Sequence, residues 1–71
     1  MRNTFTAVIK KEEKGWWIGW IEEVPGVNCQ EKTREELMKT LSVTLKEALQ
    51  LNKEEALLAA KSGYSEAFVQ V

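Results

Sequence analysis

The first stretch of the chain alternates between apolar and mostly polar positions, as a strand with one buried face does. Residues Thr4–Lys10 place Phe5, Ala7 and Ile9 on one side by this period of two. The alternation predicts a first β-strand over this range. The charged residues 11–15 that follow end in glycine, which predicts a hairpin loop at the surface.

A second strand is predicted over Trp16–Ile21, and both of its faces are apolar. One face carries Trp16, Ile18 and Trp20, and the other carries Trp17, Gly19 and Ile21. A glycine inside a strand weakens it unless a neighbour has to approach closely there. We therefore expect a packed helix or an aromatic ring against Gly19.

A turn is predicted after the second strand, because Pro25-Gly26 joins a residue with a fixed φ to one that tolerates positive φ. Val27–Gln30 is short, which fits a third strand at an edge of the sheet. The acidic pair Glu22-Glu23 flanks this turn. Its place favours contacts with a partner over acid–base chemistry, since adjacent strand residues point to opposite sides.

A helix is predicted to begin at Thr33, which forms a capping box with Glu36. Apolar residues then recur at spacings of three and four, which is typical of a helix with one buried face. Asn52 resembles a second capping residue, so we expect the helix to break or kink there. The alternative is one helix that continues to about Lys61.

The end of the chain returns to a strand-like pattern. Ser62-Gly63 is expected to end the helical region, with the glycine as the left-handed cap. Ala67–Val71 is predicted to form a final strand. The predicted fold is therefore a single α+β domain over residues 1–71, with a three-stranded antiparallel meander, a helix on one face and the order β-β-β-α-β.

Composition excludes most catalytic chemistry. The chain of 71 residues has no histidine, one cysteine and 11 acidic residues, all of them glutamate. A Ser-His-Asp triad, a histidine base and a Cys/His metal cluster are therefore excluded. Cys29 has no histidine to activate it, so a structural thiol is expected. We predict no enzymatic activity and no cofactor or metal.

The net charge and the hydropathy of the chain limit the kinds of partner that are expected. The net charge of −1 gives no general excess for binding phosphates, so nucleic acid is not expected to bind through this chain alone. No apolar run reaches the roughly 20 residues that span a bilayer, and no signal-peptide core is recognisable. The expected location is the cytoplasm.

The tryptophan strand is the most informative feature for function. One helix can cover only one face of a three-stranded sheet, so either Trp16 and Trp20 or Trp17 should lie on an open face. Large aromatic residues are enriched where partners bury a hot spot. A domain this small also gains stability from self-association. We therefore predict a binding surface and a homodimer or tetramer.

The order of the motifs resembles the HicB-like antitoxin family. The family's recurrent elements are a turn of ELPG type, a helix start of the form T-x-E-E and a later K-E-A element. The matching positions lie within residues 4–51 and are Glu23, Pro25, Gly26, Thr33, Glu35, Glu36, Glu47 and Ala48.

The resemblance implies a partial RNase-H-like fold in which the last strand lies beside the first and parallel to it. It also implies an oligomeric protein that neutralises a small toxin ribonuclease, HicA, by binding it. Candidates for self-association are the sheet-face residues Trp16, Trp17 and Trp20 or the open edge of the third strand. Candidates for partner contact are the helix face and the turn with Glu23, Pro25 and Gly26. Thr33, Glu36, Glu47 and Ala48 are the structural motif.

Two features of the family are not expected here. Its members usually carry a C-terminal DNA-binding segment, and none is expected in this chain. Nuclease activity is not expected from the RNase-H-like shape, because that chemistry needs clustered metal-binding carboxylates, usually aspartates.

The alternative function is a stand-alone HicB-like domain without a toxin partner. Such a domain would bind single-stranded nucleic acid on its aromatic face, or another protein.

Overall fold

A computed structural model describes residues 4–71 as three strands followed by one helix. The strands are β1 (Ala7–Lys11), β2 (Trp17–Ile21) and β3 (Asn28–Glu31), and the helix is α1 (Arg34–Ala60). They form one antiparallel sheet in the order β1-β2-β3, with α1 on one face. The predicted α+β class, the meander and the helix layer are confirmed.

The strand register places side chains as the period of two predicted. Ile9 pairs with Gly19 and Gly19 with Cys29, so these three lie in one row on the helix side. Val8 pairs with Trp20 and Trp20 with Asn28, which makes the neighbouring row on the opposite face. The two faces of β2 are therefore separated as expected.

The core lies between the helix side of the sheet and the first half of α1. Leu37 and Leu41 are almost fully buried, with 0% and 2% of their surface exposed. A methyl group at Gly19 would lie only 3.1 Å from Leu41 Cδ1 and 3.2 Å from Leu37 Cδ2. The expectation that Gly19 permits close approach of a helix is confirmed. The other buried members of the core are Ile21, Val24 and Val27.

The helix begins as its sequence predicts but ends differently. The Thr33 hydroxyl accepts a hydrogen bond from the Glu36 amide at 3.1 Å, which confirms this half of the capping box. At the other end, Lys61 adopts φ +63 and its amide donates to the carbonyls of Leu57 and Leu58. The prediction that Gly63 supplies the cap is wrong, since Lys61 takes that place.

The predicted break at Asn52 is also wrong, and the alternative of one helix to about Lys61 is confirmed, because α1 runs without interruption for 27 residues. Asparagine inside a helix costs only about 0.7 kcal/mol relative to alanine, and its neighbours in sequence are strong helix formers. The Gln50 amide nitrogen also donates to Glu54 Oε1 at 3.1 Å across this position. The helix propensity of the neighbours and this hydrogen bond outweigh the tendency of Asn52 to begin a new helix.

The predicted final strand over Ala67–Val71 does not form in the structure, where residues 64–71 lie in no strand and are exposed. The continuous helix explains the difference. Ala48 is the last helical residue packed against the core, and α1 then carries the chain about 18 Å further before it ends. The tail therefore starts well away from any edge of its own sheet. Within residues 4–71, no helix has the length and hydropathy that crossing a membrane requires.

Candidate protein-interaction surfaces

The sheet face opposite the helix carries Trp16 and Trp20, with 37% and 36% of their surface exposed. Trp20 stands between Val8 on β1 and Asn28 on β3, while Ile18 stands between Lys10 and Gln30. We call this surface the tryptophan face and define it by Val8, Lys10, Trp16, Ile18, Trp20, Asn28 and Gln30. No other element covers it within the described range 4–71. Its exposed surface combines aromatic and aliphatic side chains with a polar edge.

Lysines surround one end of the tryptophan face. Lys32 holds its ammonium nitrogen 5.9 Å from the centre of the Trp16 ring, within the range of a cation–π contact. Lys10, Lys11 and Lys14 line a shallow depression together with Trp16, and Glu12 and Glu13 share it. This end of the face is thus cationic with acidic residues interspersed.

The third tryptophan lies on the other side of the sheet. Trp17 is half-buried and packs against the core with the helix-facing residues. The structure therefore assigns Trp17 to the helix side and leaves Trp16 and Trp20 on the tryptophan face. The sequence had predicted this separation of the three rings but not which side the helix covers.

The turn after β2 lies next to the tryptophan face. Trp20 and Asn28 share a shallow pocket of about 510 Å³ with Pro25 and Gly26. Gly26 adopts φ +91, a left-handed conformation that glycine takes without steric cost, and Pro25 is exposed beside it. The structure thereby brings together three of the predicted contact residues, Trp20, Pro25 and Gly26, in one continuous surface.

Glu23 has a structural partner. Its Oε1 atom accepts a hydrogen bond from the Thr6 amide at 2.8 Å, and the Glu22 amide donates to the Thr6 carbonyl at 2.9 Å. The carboxylate thus holds the turn against Thr6, the residue that precedes β1, by a hydrogen bond. Glu23 is half-buried, whereas Glu22 is exposed.

Replacing Glu23 with alanine is expected to lower the free energy of unfolding by about 1.5 kcal/mol, because the Thr6 amide loses a charged acceptor. The adjacent Glu22→Ala is the matched control and should change stability by less than about 0.5 kcal/mol. Urea denaturation followed by tryptophan fluorescence measures both. Equal losses in the two variants would show that the bond to Thr6 contributes nothing specific.

The residues of the second motif have mainly structural places. Thr33 caps α1, Ala48 is half-buried against the core, and Glu36 and Glu47 are exposed on the helix. Thr40 Oγ1 also donates to Glu31 Oε2 at 2.7 Å, which ties the helix to β3. The sequence did not predict this tie, since it joins two polar residues that periodicity treats as solvent-facing.

Cys29 lies on the helix side of β3 and packs against the core as a small apolar residue. Its thiol donates to Thr44 Oγ1 at 3.6 Å, a reasonable distance for a sulfur donor. Among the described residues, no three His, Cys, Asp or Glu side chains are grouped so that they could hold a metal ion.

A second apolar surface lies between β1 and the helix, where α1 leaves the side of the sheet nearest β1 partly open. This groove has a volume of about 670 Å³. We call it the β1 groove and define it by Phe5, Ala7, Met38, Leu45, Lys46 and Leu49. Sequence reasoning missed it, although Met38 widens the apolar stripe of the helix beyond what one sheet face needs.

Comparison of the chain with protein-family models, with curated proteins and with solved structures finds no match. The two surfaces and the order of the motifs are the features of the chain that bear on its function.

Proposed function

We propose that this protein is a non-catalytic, oligomeric interaction module of HicB antitoxin type, which acts in the cytoplasm by binding and masking a small HicA-like toxin ribonuclease. The observation that carries the proposal is the open tryptophan face, in which Trp20 stands on the central strand, on the side of the sheet that no element of residues 4–71 covers. Burial of such a ring by a partner contributes strongly to binding.

The surroundings of Trp20 resemble those of a binding hot spot. Val8 and Ile18 are half-buried and supply flat apolar surface, and Asn28 and Gln30 supply hydrogen-bonding groups at the edge. An apolar centre with a polar rim is the usual arrangement at protein interfaces. Pro25 and Gly26 extend this surface beyond the sheet through the pocket they share with Trp20.

The motif series supports the more specific part of the proposal. The Glu23-Val24-Pro25-Gly26 turn and the Thr33 helix start lie in the order and spacing of the HicB-like family. In this chain the motif residues hold the turn and helix in place through Glu23–Thr6 and Thr33–Glu36 contacts. The partial RNase-H-like arrangement, with a strand beside β1, belongs to the same proposal. The non-catalytic part rests on the absence of histidine and aspartate from the sequence.

Co-expression with the product of the neighbouring reading frame tests the proposal. We expect a short basic protein that slows growth when expressed alone, and restored growth with a stable complex when this chain is present. Trp20→Ala should weaken that complex at least about tenfold, as loss of a hot-spot tryptophan does. Leu51→Ala is the matched control, since Leu51 is an exposed apolar residue on α1 away from the tryptophan face.

Two outcomes would contradict the proposal. A neighbouring product that neither slows growth nor binds this chain would remove the antitoxin function. A complex that Trp20→Ala and Leu51→Ala weaken equally would remove the tryptophan face as its binding surface.

The position of Lys32 favours one second candidate, binding of single-stranded nucleic acid. Lys32 and three further lysines surround Trp16, a combination of stacking surface and positive charge that such proteins use. Titration with a uridine oligonucleotide at low salt should then quench tryptophan fluorescence, and Lys32→Gln should weaken binding. Unchanged fluorescence at low salt would rule out this function.

A further inference from the structure

We propose that the β1 groove binds a free medium-chain fatty acid, with the carboxylate beside Lys46 and the alkyl chain towards Met38. The groove lies on the helix side of the sheet, and the tryptophan face lies on the other side. The site is therefore separate from the proposed toxin surface, and it needs neither a partner protein nor a second copy of this chain.

The β1 groove is elongated along the helix. Phe5, Ala7 and Ile21 form its sheet side. Its helix side is formed by residues that recur every three or four positions, namely Met38, Leu41, Ser42, Leu45, Lys46 and Leu49. From Met38 to Leu49 the groove follows the helix axis for about 16 Å. Its volume of about 670 Å³ is that of a small-molecule site, and its length suits a chain-like ligand.

The lining of the groove is mostly apolar and partly open to solvent. Met38 and Leu49 are 40% and 37% exposed, and Phe5, Ala7 and Leu45 are half-buried. An alkyl chain along the groove would cover these side chains, and each methylene group that it buries strengthens binding by up to about fourfold. The flexible side chain of Met38 can adapt to the shape of such a chain. The groove thus supplies the affinity for a hydrocarbon chain.

One positive charge determines the kind of head group. Among the described residues that line the groove, Lys46 is the only charged one. The residues three and four positions from it along α1 are Ser42, Val43, Leu49 and Gln50, so none of these neighbours is acidic. The Ser42 hydroxyl lines the same groove one turn away and can donate a hydrogen bond. The ammonium group and the hydroxyl together complement a carboxylate.

The position of Lys46 sets the direction and the length of the ligand. A lysine lays its stem against apolar surface and keeps its ammonium group in water, so the carboxylate stays ionised at the rim of the groove. Met38 lies about 12 Å back along the helix axis from Lys46. An extended alkyl chain advances roughly 1.3 Å per bond, so about nine bonds span this distance. Decanoate has the matching length.

The tail of the chain does not cover the groove. Residues 64–71 lie in no strand, and Phe68 and Val69 are each 87% exposed. The apolar side chains of Met38 and Leu49 therefore stay open on the helix side of the groove. A ligand can enter without displacing any element of residues 4–71.

Titration of the full chain with decanoate, below its micelle concentration, tests the site by calorimetry and NMR. We expect saturable binding of one decanoate per chain. Hexanoate should bind at least about tenfold more weakly, because it buries fewer methylene groups. Decyltrimethylammonium should bind at least about threefold more weakly, because its charge opposes Lys46. The amide signals of Ala7 and Leu45 should shift, while the indole signals of Trp16 and Trp20 stay in place.

Two pairs of variants locate the chain and the head group. Met38→Glu places a negative charge in the groove and should weaken decanoate binding at least about tenfold. Val43→Glu is its control, since Val43 is exposed on the same helix and does not line the groove, and it should change binding less than about threefold.

Lys46→Gln should remove the preference for decanoate over decyltrimethylammonium. Lys53→Gln should keep this preference, because Lys53 is an exposed lysine of α1 beyond the groove. Circular dichroism shows that each variant is folded, and all four substituted residues are exposed.

Four results would overturn the site. They are no binding of decanoate up to millimolar concentration, equal effects of Met38→Glu and Val43→Glu, equal binding of decanoate and decyltrimethylammonium, and shifts confined to the indole signals of Trp16 and Trp20. Cross-peaks between Val69 and Leu45 in the free protein would also overturn it, because the tail would then fill the groove. Toxin binding is measured separately, so failure of the fatty-acid site leaves the antitoxin function standing and the reverse also holds.

Discussion

Replacing Gly19 with valine is expected to lower the free energy of unfolding by about 3 kcal/mol and to leave much of the protein unfolded at room temperature. Gly19 is buried at the centre of β2, under the helix. Even a methyl group there would lie 3.1 Å from Ile9 Cγ2 and Leu41 Cδ1. Two further methyl groups have no space unless α1 moves away from the sheet.

A graded series makes this test specific. Gly19→Ala should change stability by less than about 1 kcal/mol, because the tips of flexible side chains can shift and alanine restricts the unfolded chain. Gln30→Val adds a β-branched residue on the opposite face of β3 and should be nearly neutral. Urea denaturation followed by circular dichroism gives all three values. A valine at position 19 that is tolerated as well as alanine would show that the helix does not approach β2 closely.

Replacing Leu37 with alanine is expected to cost about 3 kcal/mol, the typical loss for a fully buried leucine. Leu37 has no exposed surface and contacts the sheet at Gly19. Few other residues are fully buried in so small a domain, so the remaining contacts cannot compensate. The loss should bring the domain close to its unfolding threshold.

Leu51→Ala is the control on the same helix, because Leu51 is 53% exposed and lies beyond the packed half of α1. It should change the stability of the monomer by less than about 0.5 kcal/mol. Thermal unfolding at low protein concentration compares the two without the contribution of self-association. Similar losses at both positions would indicate that the helix is anchored along its whole length.

Much of the fold could be predicted from local pattern. Alternation located β1, an apolar run located β2, and Pro25-Gly26 located the turn before β3, each to within a few residues. Thr33 marked the helix start because its hydroxyl satisfies the Glu36 amide, an interaction within four consecutive residues. Such signals come from residues that are close together in the sequence, so they can be recognised without knowledge of the tertiary structure.

The errors occurred where local signals competed. Asn52 can cap a helix or lie inside one, and strong helix formers on both sides decided for continuity. The alternation in Ala67–Val71 predicts a strand whatever the helix does, but a strand also needs a neighbour to pair with, and residues 64–71 pair with none of the described strands. The β1 groove escaped prediction because it arises from how far α1 lies from β1, a distance that no residue pattern contains.

The sequence by itself determined that Trp16 and Trp20 share one face of the sheet and that Trp17 lies on the other, because adjacent residues of a strand point to opposite sides. It also determined that no histidine or aspartate is present for catalysis. Only the tertiary structure decided that Trp17 is covered and that Trp16 and Trp20 stay open. The physical reason is Gly19: it shares the face of Trp17, and its missing side chain lets Leu37 and Leu41 approach that side of the sheet.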